Sequence, residues 1–257
     1  MEIQNDKIIQ SVSRAVQILK CFENHEELGV TEISKIMGLH KSTTFGLIAT
    51  LEAYQLLEKN EETGRYRLGL ELFRLGTKVN SNLRRVAIPY LERLVSMYGE
   101  TVNLVAIDDI SVIYLEKVES SHSMRICTMV GGRLPLYCTA VGKSILASLP
   151  KDEIEAIIER MDFKKFTDNT ICDRENLLEY LASAKGNGYA EESEEFEMGL
   201  SCVAAPIFNH FGKAFAAISI SGPASRMTDE FRERISTSLI EFTQEISQRM
   251  GYVKTPL

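Results

Sequence analysis

The sequence contains no tryptophan and only six prolines and five cysteines in 257 residues. The cysteines, Cys21, Cys127, Cys138, Cys172 and Cys202, are odd in number, widely spaced and never form C-x-x-C. That argues against a disulfide framework or a zinc knuckle and leaves most of them to be read as buried thiols. No stretch approaches ~18 uninterrupted apolar residues, so no membrane-spanning helix is expected. The opening MEIQNDKIIQ lacks both the basic and the apolar region of a secretory signal, which makes a cytoplasmic protein the expectation. The four histidines, His25, His40, His122 and His210, have no metal-ligand spacing and read as surface or turn residues. There is no G-x-S-x-G elbow, and the VGKS at 141–144 follows Tyr137 where a phosphate-binding loop needs glycine. The chain is therefore not read as an enzyme, and neither a metal nor a cofactor is expected.

With 44% hydrophobic and 25% charged residues, the chain is ordinary for a globular protein and long enough for two domains. Its net charge of −7 is unevenly spread. Residues 1–80 carry 10 Lys and Arg against 11 Asp and Glu, and the remainder carries 19 against 25. Within the first part, three strips hold bases and no acid: 33–51 with Lys35 and Lys41, 63–70 with Arg65 and Arg67, and 72–91 with Arg74, Lys78, Arg84 and Arg85. Such strips are a local footprint for phosphate.

The segment SVSRAVQILKCF (11–22) puts Val12, Ala15, Val16, Leu19 and Phe22 on one helical stripe. Thr31 is placed to cap the short helix EISKIM, which Gly38 ends. Ser42 then offers a cap for a helix whose buried face is Thr44, Leu47, Ile48 and Leu51, leaving His40, Lys41, Thr43, Phe45 and Gly46 nearer the outside. A second helix of this kind enters the major groove by its N-terminal end, where small hydroxyls, a lysine and free amides meet phosphates and base edges. LLEKNEETGRYRLG (56–69) reads as a β-hairpin turning near Glu62, Thr63 and Gly64, with Arg65 and Arg67 as a basic wing. Double-stranded operator DNA is the expected partner. Lys41, Ser42, Thr43 and Phe45 are assigned to the groove, and Arg65 and Arg67 to the flanking backbone.

Apolar spacing at Leu72, Leu75, Val79, Leu83 and Val86 predicts a linker helix over 71–88, with Pro89 beyond it. Downstream, TVNLVAID, SVIYLEKVE, SMRICTMV, SCVAAPIFN and KAFAAISIS read as strands, with helices near 140–149, 151–161, 174–187 and 228–250. The last is capped by Thr228 and closed by Gly251. The architecture is α+β, an antiparallel sheet with helices against it. Gly131 and Gly132 make a corner before Leu134, and Thr139, Ala140, Val141 and Gly142 open a helix whose free amides suit an anion. Ser219 and Ser221 share one strand face, with Cys202 on the neighbouring strand. The run EESEEFE (191–197) reads as a solvated face in preference to a two-carboxylate site.

SVSRAVQILKCF, TEISKIMGLHKSTTFGLIATL and ETGRYRLG resemble the N-terminal domain of the IclR family of transcriptional regulators. GGRLPLYCTAVGKSILASLP, GYAEESEEFEMGLSCVAAPIF and AISISGP resemble that family's effector-binding domain, so the likeness covers residues 8–250. It implies a winged helix-turn-helix at 8–70, the linker at 71–88 and a GAF-like or profilin-like effector domain at 89–254. It also implies a small carboxylate effector, pocket roles for Leu134, Ala140, Val141, Glu192, Cys202, Ser219 and Ser221, and repression as the commoner outcome. A homodimer follows from the need to read two half-sites, and the resemblance adds a dimer of dimers through the effector domains. Three departures stand out: Gly46 where relatives often carry arginine, Ala140-Val141 where some have glycine-alanine, and Glu192 where they have aspartate.

Overall fold

The computed structural model describes residues 8–76, 78 and 81–253. The chain divides into two compact units, Met1–Ser81 and Asn82–Leu257.

The first unit runs α1 (Gln10–Lys20), a 3-10 turn (Cys21–Asn24), α2 (Val30–Met37), α3 (Lys41–Ala53), a hairpin of β1 (Leu57–Lys59) and β2 (Tyr66–Leu68), and α4 (Leu70–Gly76). Its core joins Ile18, Phe22, Leu28, Ile33, Ile48, Leu51, Leu57 and Tyr66. The stripe expected on α1 is split. Ala15, Leu19 and Phe22 face this core, whereas Val12 and Val16 lie exposed beside Ile8 and Ile9. Ile18, one residue off that stripe, is the one fully buried position on α1.

Two expected caps are displaced. α2 starts at Val30, its N-cap is Gly29, and the Gly29 N–H is accepted by Glu32 at 2.7 Å, so Thr31 lies inside the helix. α3 starts at Lys41 with His40 as N-cap, which puts Ser42 in the first turn. In both cases the N-cap lies two residues earlier than the expected capping side chain, and neither Gly29 nor His40 supplies a side-chain cap bond. Gly38 ends α2 with φ 62°, the left-handed conformation that glycine adopts without a Cβ clash.

The second unit begins in α5 (Ser81–Tyr98) and continues with β3 (Thr101–Asp108), β4 (Ser111–Val118), β5 (Arg133–Pro135), α6 (Ala140–Ala147), α7 (Lys151–Ile158), α8 (Arg174–Asn187), β6 (Ala190–Ser193), β7 (Leu200–Phe208), β8 (Ala214–Pro223) and α9 (Asp229–Arg249). Six antiparallel strands form one sheet in the order β5-β4-β3-β8-β7-β6. One face packs on α5 and α9 through residues such as Leu91, Ile218, Ile220 and Phe242. The other packs on α6, α7 and α8 through Ile145, Leu146, Ile154, Leu181 and Ala217. Every residue of α6 is buried.

The expected linker helix over 71–88 is two helices: α4 ends at Gly76, and α5 runs on through Pro89 to Tyr98. Glycine is a poor helix former, and Pro89 both loses the bond to the carbonyl four residues back and crowds it, a cost that burial of Leu83, Ala87, Leu91 and Leu94 outweighs. Val79 and the expected domain end at 254 lie outside the described residues. SMRICTMV is not a strand. Its place at the sheet edge is taken by β5, paired with β4 through Val112 and Leu134.

Candidate functional site

In the first unit the exposed face of α3 gathers His40, Lys41, Ser42, Thr43, Phe45 and Gly46, all solvent-exposed. Thr44, Ile48 and Leu51 hold the helix from beneath, and Thr44 bonds its hydroxyl to the His40 carbonyl at 3.2 Å. A Cβ built on Gly46 meets nothing within 4 Å. The hairpin turns at Gly64, and Tyr66 alone of β2 is buried, so Arg67 stands outward.

The strips free of acid in sequence do not stay so in space. Arg65 donates to the Glu27 carbonyl at 3.1 Å and pairs with Glu32 at 2.7 Å. Arg67 pairs with Glu58, and Arg84 with Glu116. Strand pairing and helix packing bring these acids in from segments that a linear count keeps apart. Both wing pairs are exposed, where an ion pair contributes only about 0–1 kcal/mol, so a phosphate can replace the carboxylate at small cost. Lys41 has no ion-pair partner among the described residues.

In the second unit all seven residues singled out from sequence line one small cavity of about 30 Å³: Leu134, Ala140, Val141, Glu192, Cys202, Ser219 and Ser221. Tyr114, Cys138, Thr139, Phe196 and Leu200 complete its wall, and a wider pocket of about 200 Å³ continues from shared residues such as Tyr114, Leu134, Cys202 and Ser221 toward Thr128, Met129 and Arg133. Strand register accounts for the gathering. Glu192 pairs with Cys202, and Cys202 with Ser221.

Helix α6 points its first turn at this cavity. Thr139 caps it, accepting from the Gly142 N–H at 3.2 Å, while the amides of Ala140 and Val141 lie where no intrahelical acceptor exists. Gly142 allows the turn to sit there, because a Cβ would lie 2.2 Å from the Leu136 carbonyl oxygen. The VGKS glycine thus serves a close backbone approach.

Sequence reasoning missed several partners. Asn103, fully buried, donates to the hydroxyls of Ser219 at 3.5 Å and Ser221 at 3.3 Å, and accepts from Thr128 at 2.6 Å. Lys143, also fully buried, pairs with Glu195 and lies 4.0 Å from the Tyr180 ring centroid. The signals were a lone lysine in the apolar run AVGKSILA and an asparagine inside TVNLVAID. The EESEEFE run is not the solvated face expected, since Glu192 and Glu195 are buried while Ser193 and Glu197 are exposed. Of the cysteines, Cys138 and Cys202 are buried, Cys21 and Cys172 are half-buried, and Cys127 is exposed. The four histidines are exposed.

Burial governs the titration of this site. It pushes Glu192 up to about 7, against the pull of two N–H donors, Glu195 at 2.7 Å and Phe196 at 3.2 Å. It raises Cys202 well above the ordinary thiol range, with the neighbouring Glu192 adding to it, and lifts Cys138 to about 12. Tyr114 is raised for the same reason. The thiols and the phenol are therefore neutral donors near pH 7, and Glu192 is divided between acid and carboxylate.

Comparison with known proteins places both units in one family. A family model described as the IclR helix-turn-helix domain matches residues 11–61, and one described as the bacterial transcriptional regulator IclR C-terminal matches residues 77–248. The HTH-type transcriptional regulator XynR of Escherichia coli is 38% identical over 248 residues, covering 95% of this chain and 98% of that protein. The HTH-type transcriptional regulator KdgR of the same organism is 35% identical, covering 96% and 95%. The crystal structure of the Thermotoga maritima IclR superposes with a TM-score of 0.77 at 33% identity, covering 94% and 99%. No helix among the described residues is long and apolar enough to cross a membrane.

Proposed function

The chain belongs to the IclR family of bacterial transcriptional regulators and is a DNA-binding regulator of transcription, not an enzyme; we propose that a small organic acid held in the C-terminal unit controls its grip on operator DNA. The supporting observation is the convergence of first-turn amides from α6, two serine hydroxyls and a buried acid on one cavity. Helix-end amides favour an anion, Glu192 stands on the same wall, and the hydroxyls read the rest of the molecule. The wider pocket beyond Leu134 leaves room for a keto acid, a sugar acid or an aromatic acid.

In this reading residues 8–70 form the DNA-binding domain, 89–254 the effector domain, and 71–88 the connection between them. His40, Lys41, Ser42, Thr43, Phe45 and Gly46 face the major groove, while Arg65 and Arg67 exchange their carboxylates for phosphates. The protein acts as a repressor, the commoner outcome in the family it resembles. Val12 and Val16 on α1, with Leu70 and Phe73 on α4, are exposed apolar side chains that a second copy would cover, which supports a homodimer reading two half-sites. Pairing of effector domains into a dimer of dimers rests on the resemblance alone. Acid binding alters DNA affinity only if it favours one arrangement of the paired DNA-binding domains, and the coupling is reciprocal.

Mobility shift on the intergenic DNA flanking the gene, titrated with keto, sugar and aromatic acids, tests this. One class of acid should release the complex at concentrations that leave control protein–DNA complexes intact. A complex indifferent to all three classes would overturn the reading.

A further inference from the structure

Glu192 is 1% exposed and lines the cavity; its Oε1 accepts from two amides, the Cys202 thiol stands beside it, and no hydrogen bond reaches Oε2 among the described residues. The first turn of α6 on the same wall favours an anion. A carboxylate seated between them would meet a second, buried carboxylate at close range, an arrangement that favours neutralising one of the two.

The groups packed around Glu192 offer no cation. Lys143 of α6 is committed to Glu195 and to the Tyr180 ring of α8. Cys138 before α6, Tyr114 of β4 and Cys202 of β7 are neutral donors at most. Glu195 itself keeps one oxygen, Oε2, unpartnered among the described residues. Of the two buried carboxylates, only Glu195 has the ammonium, and Glu192 is left without one before any effector arrives. Arg133, on the wall of the wider pocket, is paired with Asp108, so the remaining source of positive charge is a proton from solvent.

Given the acid-binding reading above, on which this depends, we propose that Glu192 carries a proton whenever the effector is bound, so that the site takes up an organic acid as its carboxylate together with one H⁺. The Glu192 hydroxyl donates to the ligand carboxylate, whose other contacts are the amides of Ala140 and Val141. No covalent bond changes, and the proton returns to solvent on release. The position of Glu192 near neutrality makes the uptake readable in ordinary buffers. Regulation then answers to acid concentration and to pH together, and the effector is held most tightly in mildly acid conditions.

Calorimetric titration of the full-length protein with pyruvate, gluconate and benzoate, each in two buffers of different ionisation enthalpy, measures the protons taken up. Between about pH 7 and about pH 8.5 the uptake should approach about one per acid bound, and Kd should rise about tenfold per pH unit. Glu192→Gln keeps a donor but cannot titrate, so its Kd should be flat with pH and its uptake near zero. Should Glu192→Gln fail to fold, the two-buffer measurement on the wild type decides alone. Binding without proton uptake, or tightening as pH rises because an ionised Glu192 accepts a ligand hydroxyl, overturns the proton proposal and leaves the pocket standing. No binding by any of the three acids at any pH overturns the pocket reading and this proposal with it.

Discussion

Glu192 and Cys202 are register partners on β6 and β7, 1% and 9% exposed, and Cys202 is in turn the partner of Ser221 on β8. Acid, thiol and hydroxyl therefore stand in a row on one face of the sheet. Because side chains alternate along a strand, a register slip of one residue would turn the slipped member out of the row. The row is as fixed as the strand pairing beneath it, and three of the residues that line the cavity come from it.

Stability should record the burial of Glu192. In the folded chain its carboxyl is pushed up to about 7, whereas an unfolded carboxyl titrates near the ordinary 4.5, so the native state holds an extra proton between those values. Stability accordingly falls as pH rises from about 4.5 through about 7 and levels off above, by at most about 3 kcal/mol for a shift of this size. Scanning calorimetry should find this decline in the wild type and a shallower one in Glu192→Gln. Parallel declines in the two proteins would assign the proton elsewhere.

Gly142→Ala should damage the second unit. The new methyl would lie 2.2 Å from the Leu136 carbonyl oxygen, a backbone atom that cannot swing aside, at the start of a helix buried along its whole length. Overpacking of this kind costs about 1–3 kcal/mol, and displacing the first turn of α6 would also weaken acid binding. A urea midpoint and an acid affinity both equal to wild type would show that the turn has slack.

The outer face of α3 should accept change without loss of fold. A Cβ at Gly46 meets nothing within 4 Å, so Gly46→Ala should stabilise the helix by up to about 1 kcal/mol. Gly46→Arg adds a cation to the groove face and should steepen the salt dependence of operator binding by about 1, while Lys41→Ala with Arg67→Ala should flatten it by about 2. Fluorescence anisotropy across a salt series measures the slopes, and a urea midpoint measures the Gly46→Ala gain. Slopes that do not move would remove α3 and the wing from the DNA interface.

The parts of this account legible in the sequence were those fixed by local periodicity and by residues one strand apart. Ser219 and Ser221 alternate within one strand, and Thr228 caps α9, accepting from the Phe231 N–H at 3.3 Å as its sequence context predicts. What depended on long-range pairing was not legible. Glu32 and Glu58 reach the wing arginines only after folding, and Lys143 finds Glu195 across 52 positions. EESEEFE reads as a solvated run because composition cannot show that β6 turns Glu192 inward. Thr31 and Ser42 are good cap residues by type, but the chain turns before them, at Gly29 and His40. SMRICTMV has strand composition yet lies outside the sheet, and the short Arg133–Pro135 segment pairs instead.

The central claim is that an acid in this cavity controls the hold on DNA, and the two serines test it most directly. Ser219→Ala with Ser221→Ala removes both acceptors of the Asn103 amide, so a stability loss of about 1–3 kcal/mol is expected and is checked first. The decisive measurement is the concentration of acid that releases half of the operator complex, in the wild type and in this double variant. The account predicts that the variant still binds operator, since DNA is read by the other unit, and that the acid no longer releases it. Unchanged acid affinity together with unchanged release would contradict the account and move the effector site elsewhere.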